Sequence, residues 1–124
     1  MDKKRILIVD DEPDVVEFLT YNFKRMGFAV AGAVNGIDGI EKMRDFIPDL
    51  IISDIMMPEM NGVVMCDMLK RNPETRNIPL IFLSAVQDDY GILNAGISGD
   101  DFISKPVRFN FLLEIAKKYL SGAG

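Results

Sequence analysis

Five side chains in this sequence are suited to a charged, oxygen-rich substrate: Asp10, Asp11, Asp54, Ser84 and Lys105. They stand at the ends of short apolar runs. ILIV precedes Asp10-Asp11, LIIS precedes Asp54, LIFL precedes Ser84, and FIS precedes Lys105. Singly, each has a bland explanation: an acidic pair caps a helix, a serine turns a chain, a lysine decorates a surface. Together they raise the question of why an apolar scaffold should end in three acids, whose mutual repulsion raises their pKa values and costs stability. A cation offsets that cost. Carboxylate oxygens without imidazole or thiolate suit Mg2+, which keeps several waters and takes few protein ligands. A metal, an ammonium and a hydroxyl can divide the peripheral oxygens of a phosphoryl group. Asp54 then has two compatible roles, metal ligand and nucleophile, since one carboxylate oxygen can form an acyl phosphate while the other binds metal.

Composition excludes several other chemistries. The chain has no histidine, so His-based triads, imidazole metal sites and a phosphohistidine made within the chain are ruled out. Its one cysteine, Cys66, permits no internal disulfide and no CxxC site. Surrounded by Val64, Met65, Met68 and Leu69, it reads as a buried, inert thiol. The net charge of -5 argues against nucleic acid as a direct partner, because phosphate binding needs a basic surface. No apolar run approaches the roughly 18 residues that span a bilayer. The run at 6–9 behind the basic start MDKKR is too short for a signal peptide. A cytoplasmic protein is expected, built as one domain over its 124 residues.

The acids and the lysine need a frame to bring them together. Short apolar runs alternate with amphipathic stretches, the pattern of βα units around a parallel sheet. Strands are expected at 6–9, 28–33, 50–53, 80–84 and 101–104. Pro13 opens a first helix, with Val15, Val16, Phe18, Leu19, Phe23 and Met26 as its apolar stripe and Gly27 as its stop. A second helix over 36–46 carries Ile37, Ile40, Met43 and Phe46. A third covers 63–71. The final helix, 108–120, turns Phe111, Leu112, Ile115, Ala116 and Tyr119 to the core. A short fourth helix is expected within 87–98, although Gly91, Asn94 and Gly96 are poor helix formers. Five strands and five helices make a doubly wound (βα)5 sheet, whose ligands gather beyond the carboxyl ends of the strands. Met57, Met60, Met65 and Met68 read as core or loop packing rather than a cofactor site.

Asp10-Asp11, Asp54 with Met57-Pro58 and Asn61-Gly62 behind it, Ser84-Ala85 and Lys105-Pro106 together resemble the receiver domain of two-component response regulators. The resemblance covers residues 1–124 in the right order. It implies a flavodoxin-like parallel sheet of strand order 2-1-3-4-5. Asp54 would be the phosphoacceptor, and Mg2+ would sit on Asp10, Asp11, Asp54 and the backbone carbonyl of Met56. Lys105 and Ser84 would bind the phosphoryl group, with Ala85 leaving room for it. Ser84 and Phe102 would form the switch, and Pro106 would follow a cis peptide bond. The donor would be a phosphohistidine of a sensor histidine kinase or a histidine phosphotransfer protein. The receiver of the signal would be an output protein, or an output domain beyond this chain. The domain would promote its own phosphorylation and dephosphorylation without being a classical enzyme, and would touch neither nucleic acid nor membrane.

Three positions depart from the family pattern. Phe102 stands where tyrosine is commoner, Val107 where phenylalanine is common, and the stretch from Ser84 to Lys105 is about one residue short. All three fall on the face of the short fourth helix, fifth strand and final helix, which many members use for homodimer formation or partner docking. Rival readings fare worse on the residues. An aspartyl-phosphate phosphatase of the haloacid dehalogenase type has an acid where this chain has Met56. A flavodoxin-like FMN binder needs a phosphate-cradling loop where Asp10-Asp11-Glu12 would repel phosphate. A phosphorylation-independent adaptor tends to lose the acids or the lysine, which are retained here.

Overall fold

The apolar runs are strands because they are rich in β-branched and leucine side chains and too short for helices. The computed structural model describes residues 3–84 and 100–121. In it β1 is Arg5–Val9, β2 Ala29–Ala33, β3 Leu50–Asp54, β4 Leu80–Ser84 and β5 Asp101–Ser104. The helices among the described residues are α1 (Pro13–Arg25), α2 (Gly36–Lys42), α3 (Gly62–Arg71) and α4 (Phe109–Ser121). All strand pairs are parallel, in the order β2-β1-β3-β4-β5. The helix expected within 87–98 lies outside the described residues.

Alternation along the strands splits the core into two layers. Ile6, Ile8, Leu50, Ile52, Ile81, Leu83 and Ile103 pack against Leu19 and Phe23 of α1 and Leu112, Ala116 and Leu120 of α4. On the opposite face Leu7, Val9, Ile51, Leu80 and Phe82 meet Met43 and, from α3, Met65, Cys66 and Leu69. All of β3 is buried, its closing aspartate included. Full burial of each Ile or Leu contributes about 1.5–3 kcal/mol, so a charged residue in place of Leu50, Ile51 or Ile52 would forfeit much of that. Only its carboxyl end can carry a charge.

Local chemistry explains where elements begin and end. Gly27, at φ 95°, closes α1: its N–H donates to the Lys24 carbonyl at 3.0 Å, and the Phe28 N–H donates to the Phe23 carbonyl at 3.2 Å. The Phe23 and Phe28 rings then meet edge-on at 5.8 Å. Phe28 therefore belongs to the helix cap, and β2 starts one residue later than the sequence suggests. At α2 the Asn35 carboxamide oxygen accepts the Asp38 N–H, and the Asp38 carboxylate accepts the Val34 N–H, both at 2.9 Å. That helix ends at Lys42 rather than at residue 46. The N–H groups of Arg44 and Asp45 reach back only three residues, in the tighter geometry of a fraying end.

Some expected core residues face solvent. Ile37 starts a series in three-residue steps, each falling about 60° short of a full turn at 3.6 residues per turn, so only the middle of the series can point inward. Met43 is buried and Ile37 is exposed. In α4 the buried stripe is Leu112, Ala116 and Leu120, spaced by four, and Phe111 lies beside it, half exposed. Phe18, Met26 and Met68 are likewise exposed, whereas Met65 and Cys66 are buried.

Candidate functional site

The two-residue period of the strands aims the charged groups. Asp10 follows Ile8 by two positions, Asp54 follows Ile52, and Lys105 follows Ile103, so all three continue the face that packs on α1 and α4. Register places them at one height: Val9 pairs with Ser53, so the next residues, Asp10 and Asp54, stand side by side, and Ser84 pairs with Ser104 just before Lys105. The result is a compact ionic cluster. The Lys105 ammonium lies 2.9 Å from Asp10, 3.2 Å from Glu12 and 3.3 Å from Asp54.

Backbone groups hold the acids in place. Asp54 Oδ1 accepts the Ile55 N–H at 2.7 Å, and Asp10 Oδ1 accepts the Glu12 N–H at 2.9 Å, which turns the chain from β1 into α1. Behind Asp54 the loop returns on itself. Asn61 caps α3 by accepting the Val64 N–H at 2.9 Å, and Gly62 donates to the Ile55 carbonyl at 2.9 Å. A Cβ on Gly62 would sit 2.1 Å from the Asp54 carbonyl oxygen, so no other residue fits without moving the Asp54 backbone. Glu59, at φ 65°, forms a tight turn in which the Met60 N–H reaches the Pro58 carbonyl at 2.8 Å. The Met60 carbonyl then accepts the Gly36 N–H at 3.1 Å, fastening this loop to α2.

Electrostatics at the cluster are strongly perturbed. Burial, and then the neighbouring Asp10 charge, push the Asp54 carboxyl above its ordinary value, despite the opposing pull of Lys105 and the Ile55 amide. Burial also works against the Lys105 charge, but the Asp10 hydrogen bond and the Asp10 and Asp54 charges outweigh it, and its pKa rises above normal. Oxygens of Asp10, Glu12 and Asp54 lie within 4.8 Å of one another. Three hard oxygen donors without nitrogen or sulfur fit Mg2+.

The other candidates fall as follows. Asp11 is exposed and stands outside that group of carboxylates, and the Met56 side chain is exposed. Ser84 is buried at the end of β4. Phe102 is partly buried and packs on the Phe82 layer, the same face of the sheet that Ser84 continues. The Lys105–Pro106 peptide bond is cis. Ala85 lies outside the described residues. The residue that sequence reasoning passed over is Glu12. An acid at the start of a helix is ordinary, and only its distance to Lys105 singles it out.

Comparisons with known proteins agree with this fold. A family model described as the response regulator receiver domain matches residues 6–117. The chain is 39% identical over 115 residues to the response regulator GtcR of Aneurinibacillus migulanus, covering 92% of this chain and 46% of that protein. It is 34% identical over 104 residues to the alkaline phosphatase synthesis transcriptional regulatory protein PhoP of Bacillus subtilis, covering 83% and 42%. The chain thus spans less than half the length of these curated relatives. Among solved structures, the signal receiver domain of a histidine kinase from Syntrophus aciditrophicus superimposes with a TM-score of 0.90 at 36% identity, over 97% of this chain and 92% of that one. The Vibrio cholerae chemotaxis response regulator CheY4 shares the fold, with a TM-score of 0.87 at 21% identity over 96% and 100%. Sequence match and strand order converge, and the chain belongs to the response regulator receiver domain family.

Proposed function

We propose that Asp54 accepts a phosphoryl group from a phosphohistidine on a sensor kinase or phosphotransfer protein, in a Mg2+-dependent reaction. An Asp54 carboxylate oxygen forms a bond to phosphorus as the phosphorus–nitrogen bond of the donor breaks, and the electron pair returns to the donor's imidazole. The donor histidine must lie outside these 124 residues, because they contain none. Asp54, Asp10, Asp11 and the Met56 carbonyl would hold Mg2+, with the Glu12 carboxylate close by. Bound there, the ion offsets the charge that repels an incoming phosphate. Lys105 donates to the phosphoryl oxygens, and Ser84 completes their hydrogen bonds, with Ala85 leaving space. Moving Ser84 toward the phosphoryl group vacates room on the face that Phe102 shares, so that ring turns inward and remodels the surface of β4 and β5. An output partner, or an output domain in the same protein, reads that surface, which also offers a face for a homodimer. Among the described residues no helix is long and apolar enough to cross a membrane.

The observation that carries this reading is a carboxylate buried at a strand end with its pKa raised, facing a lysine. Buried acids without a task are costly, and such perturbation marks functional sites. Incubation with acetyl phosphate and Mg2+ tests it by intact mass. One phosphoryl adduct is expected, absent without the metal and absent in Asp54→Asn. Labelling that survives the substitution, or needs no metal, would refute it.

A further inference from the structure

The Lys105 ammonium has three protons to donate, and three carboxylates occupy it: Asp10, Glu12 and Asp54. A phosphoryl oxygen can bind this ammonium only when one carboxylate leaves. The three differ in their ability to do so. The Asp10 and Asp54 side chains are 2% and 8% exposed, and each also accepts a backbone N–H. The Glu12 side chain is 63% exposed, and among the described residues Lys105 is its one hydrogen-bonding partner. Water can take back the Glu12 carboxylate at little cost, but not the other two.

Helix capping does not explain why Glu12 points this way. It is the N-cap residue of α1, a position whose side chain ordinarily accepts a helix N–H, and it makes no such bond. Its carboxylate turns to Lys105 instead. It thereby stands on the rim between the acid cluster and an apolar groove lined by Phe18, Pro106 and Val107.

We propose that Glu12 is a positioning residue: it tethers Lys105 in the resting domain and is the partner that the incoming phosphoryl group displaces. This deepens the phosphoacceptor reading of Asp54 and rests on it. Glu12 thus sets how readily the pocket takes up an anion, without touching the reacting atoms.

Beryllofluoride, a mimic of the phosphoryl group, provides the probe, titrated at saturating Mg2+ and followed by 19F NMR. Glu12→Gln removes the charge, and Glu12→Asp keeps it on a side chain one methylene shorter. Both variants are expected to bind the probe about two- to fivefold more tightly than the wild type, the range set by an exposed ion pair. The NMR signals of the Lys105 side chain should differ from the wild type in the resting variants and coincide with it once the probe is bound. Tighter binding by Glu12→Gln with wild-type behaviour in Glu12→Asp would mean that Glu12 acts only as a rim charge, which overturns the tether. Unchanged or weaker binding in both variants overturns it as well. Phosphorylation of wild-type Asp54 by acetyl phosphate, run on the same preparations, reports separately on the parent reading, whose failure would show there and not in the variants.

Discussion

At the scale of single residues, the site is costly to keep, and its costs can be measured. Asp54 ionises less readily in the folded chain than in the unfolded one, because burial and Asp10 oppose its charge. That penalty is absent below the ordinary value of 3.8 and enters as pH rises through it toward the raised folded value. Asp54→Asn should therefore raise the melting temperature at pH 7, and thermal melts should show the gain vanishing in acid. Lys105 has the opposite sense. Its folded pKa lies above 10.5, so the stability from its charge is fully present below that pH and is lost only as pH rises through the folded value. Lys105→Met at neutral pH strands Asp10 and Asp54 without a counter-charge and should cost about 1.5–3 kcal/mol, the scale of hydrogen bonds to charged groups. Denaturant melts should show that loss shrinking as the carboxylates protonate. The acids and the lysine were legible in the sequence because each breaks an apolar run. Glu12 was not, because a glutamate before a helix breaks no pattern.

At the scale of elements, legibility followed the strength of the local signal. The strand ends were readable because continuous runs such as Leu50-Ile51-Ile52 have only one buried conformation to adopt at that length. Helix faces were less readable. Ile37 and Phe111 are apolar and close to helical spacing, yet they fall to the side of the stripes that Met43 and Leu112 define. Phe28 was drawn into α1's cap by a bond from its own backbone, which hydrophobicity does not reveal. Asn61-Gly62 turns out to be a structural demand of the close approach to the Asp54 backbone. Gly62→Ala would press its Cβ onto the Asp54 carbonyl, and equilibrium unfolding should show a loss of about 3 kcal/mol. Gly27→Ala is the control: nothing lies within 4 Å of its added Cβ, so only the cost of a left-handed backbone remains, about 1–2 kcal/mol. The first change should also impair labelling of Asp54, and the second should leave it intact.

At the scale of the whole molecule, strand order is what brings the acids from β1 and β3 to the lysine after β5. No local stretch specifies that order; it follows from packing helices on both faces of one parallel sheet. The same arrangement would make binding of the proposed Mg2+ a property of the folded state alone. Mg2+ should raise the melting temperature, with a stabilisation of about 2.7 kcal/mol at a hundredfold excess over its dissociation constant. Calorimetry should show Mg2+ affinity falling as pH drops through the raised pKa of Asp54, since the ion needs the ionised carboxylate. Everything proposed for the site depends on Asp54 itself carrying the phosphoryl group. Borohydride reduces an aspartyl phosphate to homoserine, so acetyl phosphate treatment with Mg2+, borohydride trapping and peptide mass spectrometry locate the modified residue. Homoserine is expected at position 54 and at no other aspartate; an unmodified Asp54, or a reduced Asp10 or Asp11 in its place, would overturn the phosphoacceptor role.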